Sequence, residues 1–124
     1  GSGPKQFDEP RGICVHQGIV YVADTGNHRV QRFSLDGIYL GSIGKKGDGT
    51  GEMDSPTDVA VDHRGYIYVS EEGNDRVGVF LPSGHHYRYY YGVKDPVSVA
   101  VDSKGFFVAS AGDYKVKKIN LESK

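Results

Sequence analysis

The chain has 124 residues, a formal net charge of −1 and one cysteine, Cys14. That length suits one small domain or part of a larger one, and the near-neutral charge gives no bulk attraction to nucleic acid or anionic lipid. One thiol makes neither an internal disulfide nor a multi-thiolate metal site, and with no bilayer-length apolar run, no charged-then-apolar leader and no Asn-x-Ser/Thr acceptor the expected setting is cytoplasmic, without a membrane span.

Valine, isoleucine, tyrosine and phenylalanine together number 35, against ten leucine, alanine and methionine residues. Branched and aromatic side chains fit a pleated surface, so strands are expected rather than helices. The 18 glycines then read as turns between short strands. A repeat organises these strands. Its copies start at Pro10, Pro56 and Pro96, joined by connectors at residues 45–55 and 93–95. In the second copy four strands are predicted at residues 58–62, 66–70, 76–80 and 86–91, with turns at HRG, EEGN and LPSG between them. The stretches IYVS and FFVA are apolar on both sides, which marks strands covered on both faces. A four-stranded meander repeating every 40-odd residues is the pattern of a propeller blade, and the absence of tryptophan removes the WD signature.

The predicted layout follows. Residues 1–9 are a severed connector or a tag remnant. Residues 10–55 are blade one and its connector, and 56–95 are blade two and its connector. Residues 96–124 are blade three, with its fourth strand missing. Blades expose two broad apolar faces unless neighbours cover them. The chain is therefore expected to be a fragment, a self-associating half ring, or both.

Phe7-x-x-Pro10-x-Gly12-Ile13 leads to Gly18-x-x-Tyr21-Val22-Ala23-Asp24-x-Gly26-Asn27-His28-Arg29-Val30-Gln31-x-Phe33, and then to Asp36-Gly37. This run resembles an NHL repeat, with Arg29 where the family name has leucine. Repeat two keeps Asn74 and Arg76 but carries Asp75 for histidine, and repeat three has Asp113-Tyr114-Lys115 at those positions. The resemblance implies an all-β propeller of about six blades. Three of them lie here, so two chains would close a homodimeric ring. It also implies a non-enzymatic protein-interaction module like the propellers of tripartite-motif ubiquitin ligases, where it selects partners. Two alternatives are single-stranded RNA binding through the rim and a metal-dependent lyase like the peptide-amidating NHL-like enzymes.

Chemistry is sparse. Gly41-Ser42-Ile43-Gly44 is not a nucleophile elbow. Asp48, Thr50 and Glu52 alternate like a calcium loop, but Met53 replaces the required glycine. His16 and His63 are placed in first turns and His28 at the opposite end, so no metal site is expected, and no cofactor. Cys14 reads as a small buried hydrophobe in the first strand, and Asp62 and Asp102 as acceptors within their turns.

The candidate partner surface is the rim: Asn27, His28, Arg29, Lys45, Lys46, Asn74, Asp75, Arg76, Tyr114 and Lys115. Within it, Arg29 and Arg76 recur at one repeat position and are expected to brace the turn, with Asp24 or Glu71 as partners. The rim's eight acidic residues, Asp24, Asp48, Glu52, Asp54, Glu71, Glu72, Asp75 and Asp113, outnumber its five basic ones, so a protein or peptide partner is favoured over RNA. A second candidate is an outer-edge aromatic strip of Tyr87, Arg88, Tyr89, Tyr90 and Tyr91, with Tyr87, Tyr89 and Tyr91 expected on one face.

Overall fold

The computed structural model describes residues 1–121. Residues 122–124, assigned by sequence to the end of blade three, lie outside them. Eleven strands form three antiparallel sheets among the described residues. Sheet one is β1 (Pro10–His16), β2 (Ile19–Asp24), β3 (Arg29–Ser34) and β4 (Tyr39–Ile43). Sheet two is β5 (Pro56–Val61), β6 (Ile67–Glu71), β7 (Arg76–Phe80) and β8 (His86–Tyr91). Sheet three is β9 (Pro96–Val101), β10 (Gly105–Ser110) and β11 (Lys115–Asn120). Each sheet pairs its strands in sequence order, which is the meander of a propeller blade. No helix among the described residues is long and apolar enough to cross a membrane.

The hairpins follow from local chemistry. Gln17 and Gly18 both take positive φ, 48° and 81°, between β1 and β2, and such a pair matches the twist of the strands it joins. Between the second and third strands a short turn, 3-10 in blades one and two, ends on a left-handed residue. That residue is His28 in blade one, Asp75 in blade two and Tyr114 in blade three, with φ of 56°, 51° and 55°. The residue before each blade's proline is left-handed as well: Glu9, Ser55 and Asp95. These recurring strained positions fix the corner at which each connector enters its blade.

The innermost strands, β1, β5 and β9, run side by side. They approach so closely that a Cβ on Gly12 would lie 2.5 Å from the Asp58 Cα. Two apolar layers fill the seams between blades. The first joins Tyr21, Ala23, Val30 and Ile43 of blade one to Val59, Ile67, Val69 and Phe80 of blade two, with Met53 of the connector between them. The second joins Tyr68, Val77 and Val79 of blade two to Val99, Phe106 and Val108 of blade three, with Val93 in the place of Met53. Every residue of β6 and β7 is buried, since blade two alone is covered on both faces. At about 1.5–3 kcal/mol for each fully buried large side chain, the seams supply most of the stabilisation.

Candidate functional site

The turns between second and third strands meet the connectors along one rim. Each turn holds the connector that leads into its own blade by the same backbone bond: Gly26 N–H to Asp8 O, Gly73 N–H to Asp54 O, and Gly112 N–H to Lys94 O, at 2.7, 3.1 and 3.1 Å. The turn's left-handed residue then reaches forward to the next connector. His28 Nδ1 accepts from Ser55 N–H at 3.0 Å, and Asp75 Oδ1 accepts from Asp95 N–H at 2.8 Å. A short side chain with an acceptor serves both roles, which accounts for His28 and Asp75 at one repeat position.

The arginines complete the bracing. Arg29 donates through Nε to Asp24 Oδ2 at 2.9 Å and through its other nitrogens to the carbonyls of Ser2, Gly3 and Gln6. Arg76 donates to Glu71 Oε1 at 2.9 Å, to the Asp48 and Glu52 carbonyls and to the Tyr91 hydroxyl, with its guanidinium 3.5 Å from the Tyr89 ring centre. Residues 1–9 thus lie on blade one as the connector lies on blade two. Both arginines make the turn-holding ion pair that their spacing predicts. Their place among partner contacts fares differently: Arg76 is 1% exposed and Arg29 14%, so the guanidiniums are enclosed rather than presented. Asn27 and Asn74 likewise turn inward, donating to Asp24 and Gly1 O and to Glu71 and Gly47 O. On the rim Lys45, Lys46, Asp75, Tyr114 and Lys115 remain exposed, Tyr114 most of all.

The two carboxylates behind the arginines are shifted in opposite directions. Burial raises the Asp24 carboxyl, but the Asp8 N–H, Asn27, Arg29 and Gln31 outweigh it and hold the group below its ordinary range. Burial also raises Glu71, and there it prevails over Asn74 and Arg76. The difference lies across the hairpin. Gln31 of β3 donates to Asp24 Oδ2, whereas the equivalent residue of β7 is Gly78, and Glu71 Oε2 has no hydrogen-bond partner among the described residues. The sequence pattern assigns no role to Gln31 or Gly78; comparing the two repeats at that position is the signal that exposes them.

The aromatic strip does not form one face. β8 pairs Val79 with Arg88 and then Phe80 with His86, so Tyr87 is an extra residue in a bulge. The bulge breaks the alternation that placed Tyr87 with Tyr89 and Tyr91. Tyr87 packs edge-on against Tyr66, while Tyr89 and Tyr91 both sit at Arg76. Tyr89 donates its hydroxyl proton to the Glu52 carbonyl at 2.6 Å, and Tyr90 packs against Phe106 in the second seam. Tyr87, Arg88 and Tyr91 are left exposed. His86 rests on Tyr89, ring centres 4.3 Å apart, with its Nε2 buried.

At the opposite end, His16, Asp62, His63 and Asp102 surround a shallow hollow where the innermost strands end. Asp62 and Asp102 serve their own turns, Asp62 accepting from the N–H groups of Arg64 and Tyr66 and Asp102 from those of Lys104 and Gly105. Asp62 also accepts from the Tyr68 hydroxyl. No three His, Cys, Asp or Glu side chains are grouped as metal ligands among the described residues. Cys14 packs against the first seam, and burial, with the nearby Asp58 charge, pushes its thiol up to about 11.

Meander sheets stacked through apolar seams define a β-propeller fold. Residues 7–33 match the NHL repeat family, and the chain is similar to NHL-repeat proteins. It is 40% identical over 61 residues to RING finger protein nhl-1 of Caenorhabditis elegans, a span that is 48% of this chain and 6% of that protein. It is also 40% identical over 57 residues to Protein brain tumor of Drosophila melanogaster, 45% of this chain and 6% of that one. The chain therefore spans less than a tenth of these relatives. Among solved structures, the nidogen/laminin complex contains a chain that superposes with a TM-score of 0.76 over 93% of this chain and 44% of its own, at 18% identity, a likeness of fold.

Proposed function

We propose that this chain is part of a non-enzymatic recognition module whose rim takes a basic stretch of polypeptide. The observation that carries this is what the bracing leaves over. With the Asp24–Arg29 and Glu71–Arg76 pairs enclosed, the predicted rim retains Lys45, Lys46 and Lys115 against Asp48, Glu52, Asp54, Glu72, Asp75 and Asp113, of which Glu72, Asp54 and Asp113 are also approached by Arg11, His28 and Lys117 at 3.8, 3.4 and 3.5 Å. The acid is also concentrated. The neighbouring Asp95 side chain, partial burial and the Asp95 and Asp75 charges raise the Glu72 carboxyl above its ordinary range, against the opposing pull of Arg11. Crowded carboxylates of this kind attract lysine and arginine side chains and repel phosphate. The likeness to a RING finger protein supports the finer reading that the module selects a polypeptide for a ubiquitin ligase elsewhere in a longer chain.

Fluorescence anisotropy with a lysine- and arginine-rich peptide and with a mixed-sequence single-stranded RNA tests the proposal. The peptide is expected to bind, and Asp48→Lys with Glu72→Lys is expected to abolish binding while leaving the melting temperature unchanged. RNA binding with a steep salt dependence, without peptide binding, would overturn it.

A further inference from the structure

Among the described residues four arginines hold a carboxylate: Arg29 and Arg76 beside the rim turns, Arg64 at Asp62, and Arg11 at Glu72. A fifth, Arg32, donates to the Pro82 carbonyl. Arg88 of β8 differs from all of them, because its partners there are tyrosines alone. Its Nη1 donates to the Tyr90 hydroxyl at 3.3 Å, and the guanidinium lies 5.3 Å from the Tyr87 ring centre and 5.6 Å from that of Tyr90. Aromatic faces hold a guanidinium in place without neutralising its charge. Nε and Nη2 of Arg88 thus keep their protons for another acceptor, and Tyr90, whose oxygen accepts from Arg88, keeps its own proton to donate.

Arg88 and Tyr87 border a hollow of about 120 Å³ toward the end of blade two that faces away from the rim, where Arg64, Tyr68 and Val79 also line it. The Tyr66 ring lies 4.0 Å from the Arg64 guanidinium and edge-on to Tyr87, ring centres 5.3 Å apart, so one cluster joins the two arginines. The fold does not require this cluster. Braces recur, as Arg29 and Arg76 do at one repeat position. Blade one instead has Gly41 where blade two has Arg88, Leu40 for Tyr87 and Ile19 for Tyr66, and its shorter turn at Gln17 and Gly18 has no counterpart of Arg64. The exposure of Tyr87 belongs to the blade itself. Leu40 is the extra residue of the matching bulge, and the two are 49% and 48% exposed, although the blade that packs on blade one carries all four strands.

We propose that Arg88, with Tyr87 and Tyr90, docks an acidic side chain of a polypeptide partner, an aspartate or glutamate followed by an apolar residue that packs on Tyr87 and Tyr66. An unpaired guanidinium offers a planar fork that matches one carboxylate. Tyrosine and arginine together are the side chains that anchor interfaces. A nucleic-acid strand presents a phosphate at every step and calls for a row of cations. Of the two cations lining this hollow, Arg64 is already held by Asp62, which leaves one. The site is separate from the acidic rim, and neither depends on the other.

Fluorescence anisotropy on the 124-residue chain, with a labelled dodecapeptide of aspartate, glutamate and leucine and with a mixed-sequence single-stranded RNA, tests this beside nitrogen-15 NMR of the arginine Nε–H groups. The acidic peptide is expected to bind and to shift the Arg88 Nε–H resonance while those of Arg29 and Arg76 stay in place. Arg88→Ala is expected to weaken binding about tenfold or more, and Arg88→Lys or Tyr87→Ala about threefold or more. Each variant should keep the wild-type melting temperature, since both side chains are exposed. A lysine- and arginine-rich peptide should bind Arg88→Ala as it binds wild type, which separates this site from the rim. Equal affinity of the acidic peptide for wild type and Arg88→Ala, no binding at millimolar peptide, or a shift of Arg88 by the RNA and not by the peptide would overturn the proposal. Peptide binding that appears only in Glu122→Gln would assign Arg88 to a carboxylate of its own chain and overturn it as well.

Discussion

Arg76→Ala removes the most enclosed cation of the fold. Its guanidinium is 1% exposed and donates to Glu71, two connector carbonyls and the Tyr91 hydroxyl, while stacking on Tyr89. Truncation leaves the Glu71 carboxylate buried without its cation, and breaking a buried pair from one side costs about 3–5 kcal/mol. The Asp48 carbonyl loses its donor too, while the Glu52 carbonyl keeps the Tyr89 hydroxyl, but the connector can open to water there, so the pair sets the scale. Arg29→Ala costs less, about 1–3 kcal/mol, because Asp24 keeps donors from the Asp8 N–H, Asn27 and Gln31 and Arg29 is already partly wet. The pH dependence has a definite sign. Glu71 titrates above its ordinary range, so its contribution is fully present below the unfolded value near 4.5 and is lost as pH rises through the higher folded value. Removing Arg76 raises that value further. The gap between variant and wild type therefore narrows as pH falls toward 4.5. Urea unfolding at fixed protein concentration, followed by tyrosine fluorescence at pH 7 and pH 5, measures both effects. A cost below about 1 kcal/mol at pH 7, or a gap that stays level or widens at pH 5, would refute the reasoning.

Three further outcomes are expected. Asp24 titrates below its ordinary range, so its stabilisation is present above the unfolded value and lost as pH falls through the lower folded value; Asp24→Asn should cost about 1–3 kcal/mol at pH 7 and little in strong acid, as urea midpoints will show. Glu71→Asp with Gly78→Gln installs the arrangement of Asp24 and Gln31 in blade two, and the double variant should be more stable in urea than Gly78→Gln alone, because an added side chain at Gly78 meets Glu71 Oε2 at 2.7 Å unless Glu71 is shortened, whereas the Tyr89 and Phe80 ring carbons at 3.0 and 3.1 Å must yield in both. With its thiol near 11, Cys14 should react with a disulfide reagent at pH 8 far more slowly than free cysteine, and at the free rate once urea unfolds the chain, as followed by absorbance.

What the sequence disclosed depended on how far apart the partners lie. The blade, its turns and the Arg29 and Arg76 ion pairs were legible because each pair closes within one hairpin, five residues apart. The connector contacts were not legible. Backbone carbonyls leave no trace in residue type, so Arg29 and Arg76, though expected to brace the turn, also stood among the rim's candidate contacts. The bulge at Tyr87 was hidden too, since one extra residue in HHYRYYY changes no composition yet redirects every side chain after it. Glu71's unmet oxygen required knowing that Gly78 stands across from Val69 on the next strand, which is register rather than pattern.

The account rests on Arg29 and Arg76 being braces held against connector carbonyls. Hydrogen exchange of the arginine Nε–H groups, observed by nitrogen-15 NMR, tests this most directly. Nε of both residues donates to a buried carboxylate at 2.9 Å, whereas Arg88 is exposed. The expected result is slow exchange and distinct, shifted resonances for Arg29 and Arg76, with Arg76 the slower, beside a fast-exchanging Arg88. Exchange of Arg29 and Arg76 at the rate of Arg88 would contradict the account.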